Sequence, residues 1–255
     1  MAQADEEVFS KIRAMLGLDE VEWFAVGAAP TPPEVVLFFD AMGIEIAELW
    51  GLSETCAVAT INPPGAIRIG TVGKPLPEVE VVLADDGEIK VRGPIVMKGY
   101  RNKPEQTAEA FEDDGWFLTG DVGEVDEDGY LEIVDRKKEL IINAAGKNMS
   151  PANIEAKIKA ASTLVAHAVA IGDRRPYNVA LIVLDPEVPA DDPEARVAAA
   201  VEKANAQLSR VEQIKKFHIV PEPWEPGGDE LTPTMKLKRK PIGEKYAKEI
   251  EALYA

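Results

Sequence analysis

The spacing of apolar positions changes character twice along the chain. Helical spacing from Glu7 to Leu16 is followed by a strand-length apolar run from Val21 to Val26. Helical spacing returns from Pro33 to Met42, and a second run, Ile44 to Leu49, leads into a Trp50-Gly51 turn. Helices alternating with short apolar runs predict an α/β layer with parallel pairing. From Ile67 to Val134 the pattern shortens. Val79 to Leu83, Glu88 to Arg92, Val122 to Val125 and Tyr130 to Val134 read as strands. Asp85-Asp86-Gly87 and Asp126-Glu127-Asp128-Gly129 read as hairpin turns whose glycine accepts a positive φ. This block predicts a small β-rich subdomain.

Beyond Asp135 the pattern shifts again. Lys138 to Asn143 reads as a strand and Ala144 to Met149 as a loop, with Ser150 capping a helix that Pro151 opens. Leu164 to Ile171 and Val179 to Leu184 predict buried strands. Asp192-Pro193 opens a long helix whose stripe is Val197, Val201, Ala204, Leu208 and Val211. Pro186 to Pro193 and Pro221 to Gly228 read as loops. The expected fold is α/β and α+β. Residues 1–134 form the end of a large N-terminal α/β layer with its β-rich subdomain, and residues 135–255 a compact α+β domain.

Composition narrows the class. The 255 residues can bury one large core or two smaller ones, and 46% hydrophobic content argues against wholesale disorder. No apolar run approaches bilayer length. The acidic start lacks the layout of a signal peptide, and Cys56 is a single cysteine. These features point to the cytoplasm, with peripheral contact to a membrane left open. With 45 acidic against 28 basic residues, nucleic acid is not an expected partner. His167 and His218 have no metal-ligand spacing and read as packed or surface residues. Against a net charge of -17, the basic knot Leu231 to Lys240 suggests a local anionic ligand, although a solvated basic tail fits as well.

Polar, glycine-containing segments flank the apolar runs in a particular order. They are Gly27-Ala28-Ala29-Pro30, Trp50-Gly51-Leu52-Ser53-Glu54-Thr55, Gly70 to Pro77, Gly87-Glu88-Ile89 and Gly99-Tyr100. Trp116 to Asp121, Asp135-Arg136-Lys137-Lys138 and Leu231 to Lys236 follow. This ordered set resembles the adenylate-forming superfamily of acyl-CoA synthetases, acyl ligases and luciferases, from about Trp23 to Lys240. The last segment with its basic run is most similar to long-chain acyl-CoA synthetases of the bubblegum type.

The resemblance implies an ATP-dependent fatty acyl-CoA synthetase with ATP, a long-chain fatty acid and CoA as substrates and Mg²⁺ as cofactor. It implies that Gly27, Ala28, Ala29 and Pro30 lie against adenine and that Trp50 and Gly51 belong to the same site. Trp50 could stack on the base, or be plain core. Ser53 offers a hydroxyl to a phosphate, or caps a helix. Glu54 supplies a hard oxygen for Mg²⁺, Asp121 accepts the ribose hydroxyls, and Arg136 reaches ribose or phosphate. Lys236 is the implied catalytic cation, with Lys238 as the alternative because Thr234-Met235 replaces the Ser-Gly of many relatives. Asp135 is the implied hinge of a mobile C-terminal domain, and Gly146 lets backbone approach the CoA arm. The Ser/Thr/Gly-rich phosphate loop that such enzymes carry before the Trp50 segment has no counterpart in Met1 to Gly27. The expectation is therefore a C-terminal portion, inactive alone and completed by an N-terminal chain. The competing expectation is a non-catalytic nucleotide- or partner-binding remnant.

Overall fold

A computed structural model describes residues 8–143 and 146–255. The chain divides into two compact units, one ending at Lys138 and the other beginning at Glu139.

The first unit opens with α1 (Ser10–Met15), β1 (Phe24–Val26), α2 (Pro33–Ala41) and β2 (Ile46–Trp50). Glu7, expected in the first helix, lies outside the described residues. β1 and β2 are parallel, with Phe24 opposite Ile46 and Val26 opposite Glu48. Pro33 suits the first turn of α2, where an N–H has no helical partner. β3 (Thr60–Ile61) and β4 (Lys74–Pro75) continue the sheet antiparallel. α2 buries Val36 but leaves Val35, Leu37 and Phe38 exposed.

A second, antiparallel sheet is ordered β5 (Glu80–Leu83), β6 (Glu88–Arg92), β7 (Phe117–Val125) and β8 (Leu131–Arg136), with α3 (Pro104–Ala110) between β6 and β7. Both expected turns form. Asp86 Oδ1 accepts the Glu88 amide at 3.1 Å, and Asp126 Oδ1 accepts those of Asp128 and Tyr130 at 2.9 Å each. Trp50, Val79, Ile89, Val91 and Leu131 share one core. The strands run further than the apolar pattern suggested. β7 starts at Phe117 rather than Val122, so Thr119-Gly120-Asp121 lies inside a strand and not in a turn. Asp135 and Arg136 likewise belong to β8, and Trp50 ends β2. Backbone pairing does not require apolar side chains. Gly120, at φ +71°, and the register shift after Val122 let the ladder absorb the polar stretch.

The second unit contains β9 (Ile141–Ile142), β10 (Asn148–Met149), α4 (Pro151–Ala161), β11 (Val165–Ile171) and β12 (Asn178–Leu184). α5 (Pro193–Asn205), β13 (Ile214–Val220), α6 (Arg239–Lys245) and α7 (Ala247–Tyr254) complete it. Ser150 Oγ accepts the Asn153 amide at 3.0 Å and Asp192 Oδ1 the Ala195 amide at 3.0 Å, caps worth about 1 kcal/mol each. β12 is central, antiparallel to β11 and parallel to β13. It is buried on both faces. Ala180 and Ile182 face one core with Ile154, Ile158, Val197 and Val201. Leu181 and Val183 face another with Trp224, Leu231, Ile242 and Ile250.

Two expectations are corrected in this unit. The long helix stops at Asn205, whose side chain donates to the Ile214 carbonyl and accepts its amide, both at 2.9 Å, and so ties the helix end to β13. Val211 consequently falls outside the stripe and is 42% exposed. The strand expected over 138–143 shrinks to Ile141–Ile142, because the chain turns over 137–139. Among the described residues, no helix is long and apolar enough to cross a membrane.

Candidate functional site

Parallel strands bring their carboxyl ends to one edge of a sheet, where open α/β sheets hold ligands. In the first unit that edge carries Gly27 to Pro30 after β1 and Gly51 to Thr55 after β2. Ala28, Ala29 and Pro30 are exposed, and Ala28 holds a strained φ of +69°. Gly51 is required by space, since a Cβ there would lie 2.3 Å from the Ala57 carbonyl oxygen. Ser53, Glu54 and Thr55 form a 3₁₀ turn closed by Thr55 Oγ1, which accepts the Leu52 amide at 2.9 Å. Ser53 is exposed there. Glu54 is half-buried, and its Oε1 accepts the Tyr100 hydroxyl at 2.9 Å while its carbonyl accepts the Met97 amide at 2.7 Å. Burial, then the bond to Glu54, raises the Tyr100 pKa. The sequence reading assigned Tyr100 no role; its pairing with Gly99 was the available signal.

Asp121 is the centre of the arrangement. It is 5% exposed; Oδ2 accepts the Trp50 indole N–H at 2.8 Å, and Oδ1 lies 2.8 Å from Arg136 Nε. β7–β8 pairing puts Asp121 directly opposite Arg136. Trp50 is itself buried, so its polar edge fixes the carboxylate while its rings fill the core. Thr119 Oγ1 accepts the Asp121 amide at 3.1 Å and donates to the Ile89 carbonyl at 2.6 Å. A second layer, drawn from the Gly87-Glu88-Ile89 and Asp135 to Lys138 segments, lies behind it. Buried Glu88 accepts the Gly120 amide at 2.9 Å and Lys137 Nζ at 2.7 Å, and Lys137 also meets Asp86 at 2.6 Å. Those two carboxylates raise the Lys137 pKa. Asp135 is buried within β8, opposite Val122, and its Oδ1 accepts the Arg136 amide at 2.6 Å.

Glu54 meets the demands of Mg²⁺ in one respect. Mg²⁺ is held through one or two carboxylates plus phosphate oxygens and water. Among the described residues no three His, Cys, Asp or Glu side chains gather as an all-protein metal cage. A single half-buried carboxylate suits that mode of binding.

In the second unit, Lys236 sits on a tight hairpin. Leu231 pairs with Leu237, the Thr232 amide donates to the Lys236 carbonyl at 2.8 Å, and the Lys236 amide donates to Thr232 Oγ1 at 3.0 Å. Met235 takes φ +65° at the tip, the conformation a glycine would favour. Lys236 is exposed, whereas Lys238 is half-buried and its Nζ donates to the Gly228 carbonyl at 2.8 Å. Lys236 is thus the more accessible of the two candidates. Gly146 is exposed in the turn between β9 and β10, where its amide donates to the Asn143 carbonyl at 2.9 Å. Its φ of +79° explains the glycine, for nothing lies within 4 Å of where a Cβ would be. Ala144 and Ala145 of the same loop lie outside the described residues. His167 stacks on Trp224 with ring centroids 5.9 Å apart, a packed histidine.

The first unit thus joins a parallel-strand edge to a buried carboxylate held by an indole and a guanidinium. Comparison with known proteins gives the family. Residues 1–101 match the family of AMP-binding enzymes, and residues 138–255 match the AMP-binding enzyme C-terminal domain. A Mycobacterium tuberculosis chain bearing the name fatty-acid–CoA ligase FadD11 is 57% identical over 272 residues, covering 100% of this chain and 48% of the relative. The long-chain-fatty-acid–CoA ligase ACSBG2 of Gallus gallus is 32% identical, covering 99% of this chain and 38% of its own. The A-PCP didomain of a carboxylic acid reductase from Segniliparus rugosus, solved in complex with AMP, superposes with a TM-score of 0.79 at 26% identity, covering 100% of this chain and 37% of that one. The chain belongs to the adenylate-forming, AMP-binding superfamily, as a C-terminal portion like that of the long-chain acyl-CoA synthetases. It spans about half the length of the FadD11 relative, 48%.

Proposed function

We propose that these residues supply part of the nucleotide site and the catalytic C-terminal unit of an ATP-dependent long-chain fatty acyl-CoA synthetase. The observation that carries this reading is Asp121, held at 2.8 Å by both Trp50 and Arg136. A fixed buried carboxylate accepts the ribose hydroxyls, and Arg136 adds a cation beside the sugar or phosphate. Gly27, Ala28, Ala29 and Pro30 lie against the adenine, next to Gly51, and Ser53 donates its hydroxyl to a phosphate. Trp50 acts by positioning Asp121. Glu54, oriented by Tyr100, would hold Mg²⁺, which would supply positive charge to offset the phosphates.

In the first step a fatty-acid carboxylate oxygen bonds to the α-phosphorus of ATP and the bond to pyrophosphate breaks. The Lys236 ammonium stabilises the charge that develops there. In the second, the CoA sulfur bonds to the acyl carbon, the bond to AMP breaks, and the thiol proton passes to solvent. The open Gly146 turn receives the CoA arm. The two steps use different orientations of the second unit, turning after Asp135. Asp135, Arg136 and the Lys137 amide, which donates to Gly120 O at 2.8 Å, are tied into β7–β8, which favours Lys138 as the residue that turns. The exposed Val35, Leu37 and Phe38 support packing of further N-terminal polypeptide against α2. The setting is the cytoplasm or the face of a membrane.

The test is AMP titration of this chain by calorimetry, with Asp121→Ala as control, and pyrophosphate exchange in an intact enzyme with Lys236→Ala and Lys238→Ala. Binding that Asp121→Ala removes, and exchange that Lys236→Ala alone abolishes, are the expected results. The 255 residues by themselves should show negligible AMP release with fatty acid and CoA, because no phosphate loop is recognisable among them. AMP binding unaffected by Asp121→Ala would overturn the reading, and exchange that survives both Lys236→Ala and Lys238→Ala would remove the catalytic role from this segment and favour a non-catalytic remnant.

A further inference from the structure

Arg239 opens α6, immediately after the hairpin that carries Lys236 closes at Leu237. Its guanidinium grips Glu155 of α4 with both forks, Nη1 to Oε1 at 2.6 Å and Nη2 to Oε2 at 2.8 Å. Nε donates to Glu139 Oε2 at 2.9 Å. Glu155 is 6% exposed and also accepts the Ala170 amide of β11 at 2.8 Å. Burial opposes the charge on Arg239, but the Glu155 and Glu139 carboxylates more than offset it and raise its pKa. None of these three side chains has a part in the two steps above. Nor is a buried ion pair a strong stabiliser, since well-packed apolar residues often do as well in its place. What a bidentate guanidinium supplies is direction, because its fork accepts a carboxylate in one plane and one orientation. The apolar anchor at Leu231, fully buried, has no such directionality.

We propose that Arg239 is a positioning residue for Lys236. Its pairs with Glu155 and Glu139 fix the root of the hairpin to α4, whose N-terminus follows the Gly146 loop, and to the first residue of the unit. The Lys238 amide, which donates to the Glu230 carbonyl at 2.7 Å, closes the hairpin on itself, and the guanidinium ties that root to α4 and so helps to set the spacing between the adenylation lysine and the thioester loop. The functional half of this inference rests on the reading of Lys236 given above; the structural half does not.

The experiment is amide hydrogen exchange on the full chain, comparing wild type with Arg239→Lys, which loses the fork, and Glu155→Gln, which keeps an acceptor for Ala170. The Thr232, Met235 and Lys236 amides should exchange about tenfold faster in both variants, while Leu181 and Ile182 of β12 stay within about twofold. Glu139→Gln should give a smaller change in the same direction. Hairpin exchange that is unchanged, or that rises only in step with Leu181 and Ile182, would overturn the inference. In an enzyme form competent for pyrophosphate exchange, Arg239→Lys should lower kcat about tenfold with KM for ATP little changed, and spare the reaction of supplied acyl-adenylate with CoA. Loss of both reactions together would mark Arg239 as merely structural. If Lys236→Ala leaves exchange intact, the reading of Lys236 fails, and the amide result still decides the hairpin's anchorage.

Discussion

Replacing Trp50 by Phe should cut Asp121 loose from β2 while leaving most of the core filled. The indole N–H lies 2.8 Å from Asp121 Oδ2, and both residues are buried, at 8% and 5% exposure. A hydrogen bond to a charged group contributes about 1.5–3 kcal/mol. The smaller ring leaves a void beside Ile89 and Leu131 that costs roughly 1 kcal/mol more. The expected loss is therefore about 2.5–4 kcal/mol of unfolding free energy. A double-mutant cycle with Asp121→Asn separates the polar part from the packing part and should give a coupling of about 1.5 kcal/mol. Urea denaturation followed by far-UV circular dichroism is the assay, because the substitution itself alters tryptophan fluorescence. AMP affinity should fall by about tenfold, as expected if the carboxylate loses some 1.4 kcal/mol of preorganisation. A coupling energy below about 0.3 kcal/mol would refute the reasoning, since the indole and carboxylate would then act independently.

Three further outcomes follow from the geometry. Met235→Gly relieves a φ of +65° and should stabilise the hairpin by up to about 1 kcal/mol, glycine's entropy offsetting part of the αL penalty; slower exchange of the Lys236 amide is the readout. Burial, and secondarily the charge of Lys159, lowers the His167 pKa, so the unfolded chain binds a proton first as pH falls past about 6.5. Stability is thus fully present above that pH and lost on acidification toward the folded-state value. His167→Gln should flatten the fall in urea midpoint between about pH 7.5 and 5.5, and identical slopes would exclude His167 as the source. Burial raises the Glu48 pKa despite the Gly70 amide bond, so wild-type stability falls as pH rises from about 4.3 through the raised value. Glu48→Gln should accordingly be more stable than wild type at neutral pH and nearly equal near pH 4, measured as urea midpoints.

The sequence was most legible where one side-chain pattern maps onto one backbone. The parallel β1–β2 pair, both aspartate-glycine turns, the Ser150 and Asp192 caps and the apolar β11 and β12 could all be read from local chemistry. Reading failed where polar residues occupy strands. Thr119, Gly120 and Asp121 hid the first half of β7, and Lys215 and Lys216 hid β13, although each strand is held by backbone pairing that side-chain polarity does not report. For the candidate site, motif order pointed to Trp50, Asp121 and Arg136, but not to the contacts among them. Tyr100, Glu88, Lys137 and Arg239 lay within segments the sequence singled out, but their contacts, and Glu155 altogether, were not legible for a related reason. Each is a common charged or phenolic residue whose significance lies in a neighbour far away in sequence, as with Arg239 and Glu155.

The two-sided burial of β12 bears on how the second unit reaches its fold. From Asn178 to Val183 every side chain is buried, so the strand lacks the alternation by which a half-exposed strand rejects a one-residue slip. Exchanging Ala180 and Ile182 with Leu181 and Val183 would place apolar groups in apolar cores either way. Discrimination must come from volume and from polar end points. Asn178 is such an end point: 1% exposed, its Nδ2 donates to the Val211 and Glu212 carbonyls at 3.0 and 3.1 Å. A slipped strand would carry that amide away from both carbonyls and strand it among hydrocarbon, at a penalty on the order of 1–3 kcal/mol. One side chain at the mouth of the strand therefore helps to mark the register of β12 by holding the Val211 and Glu212 carbonyls at its end.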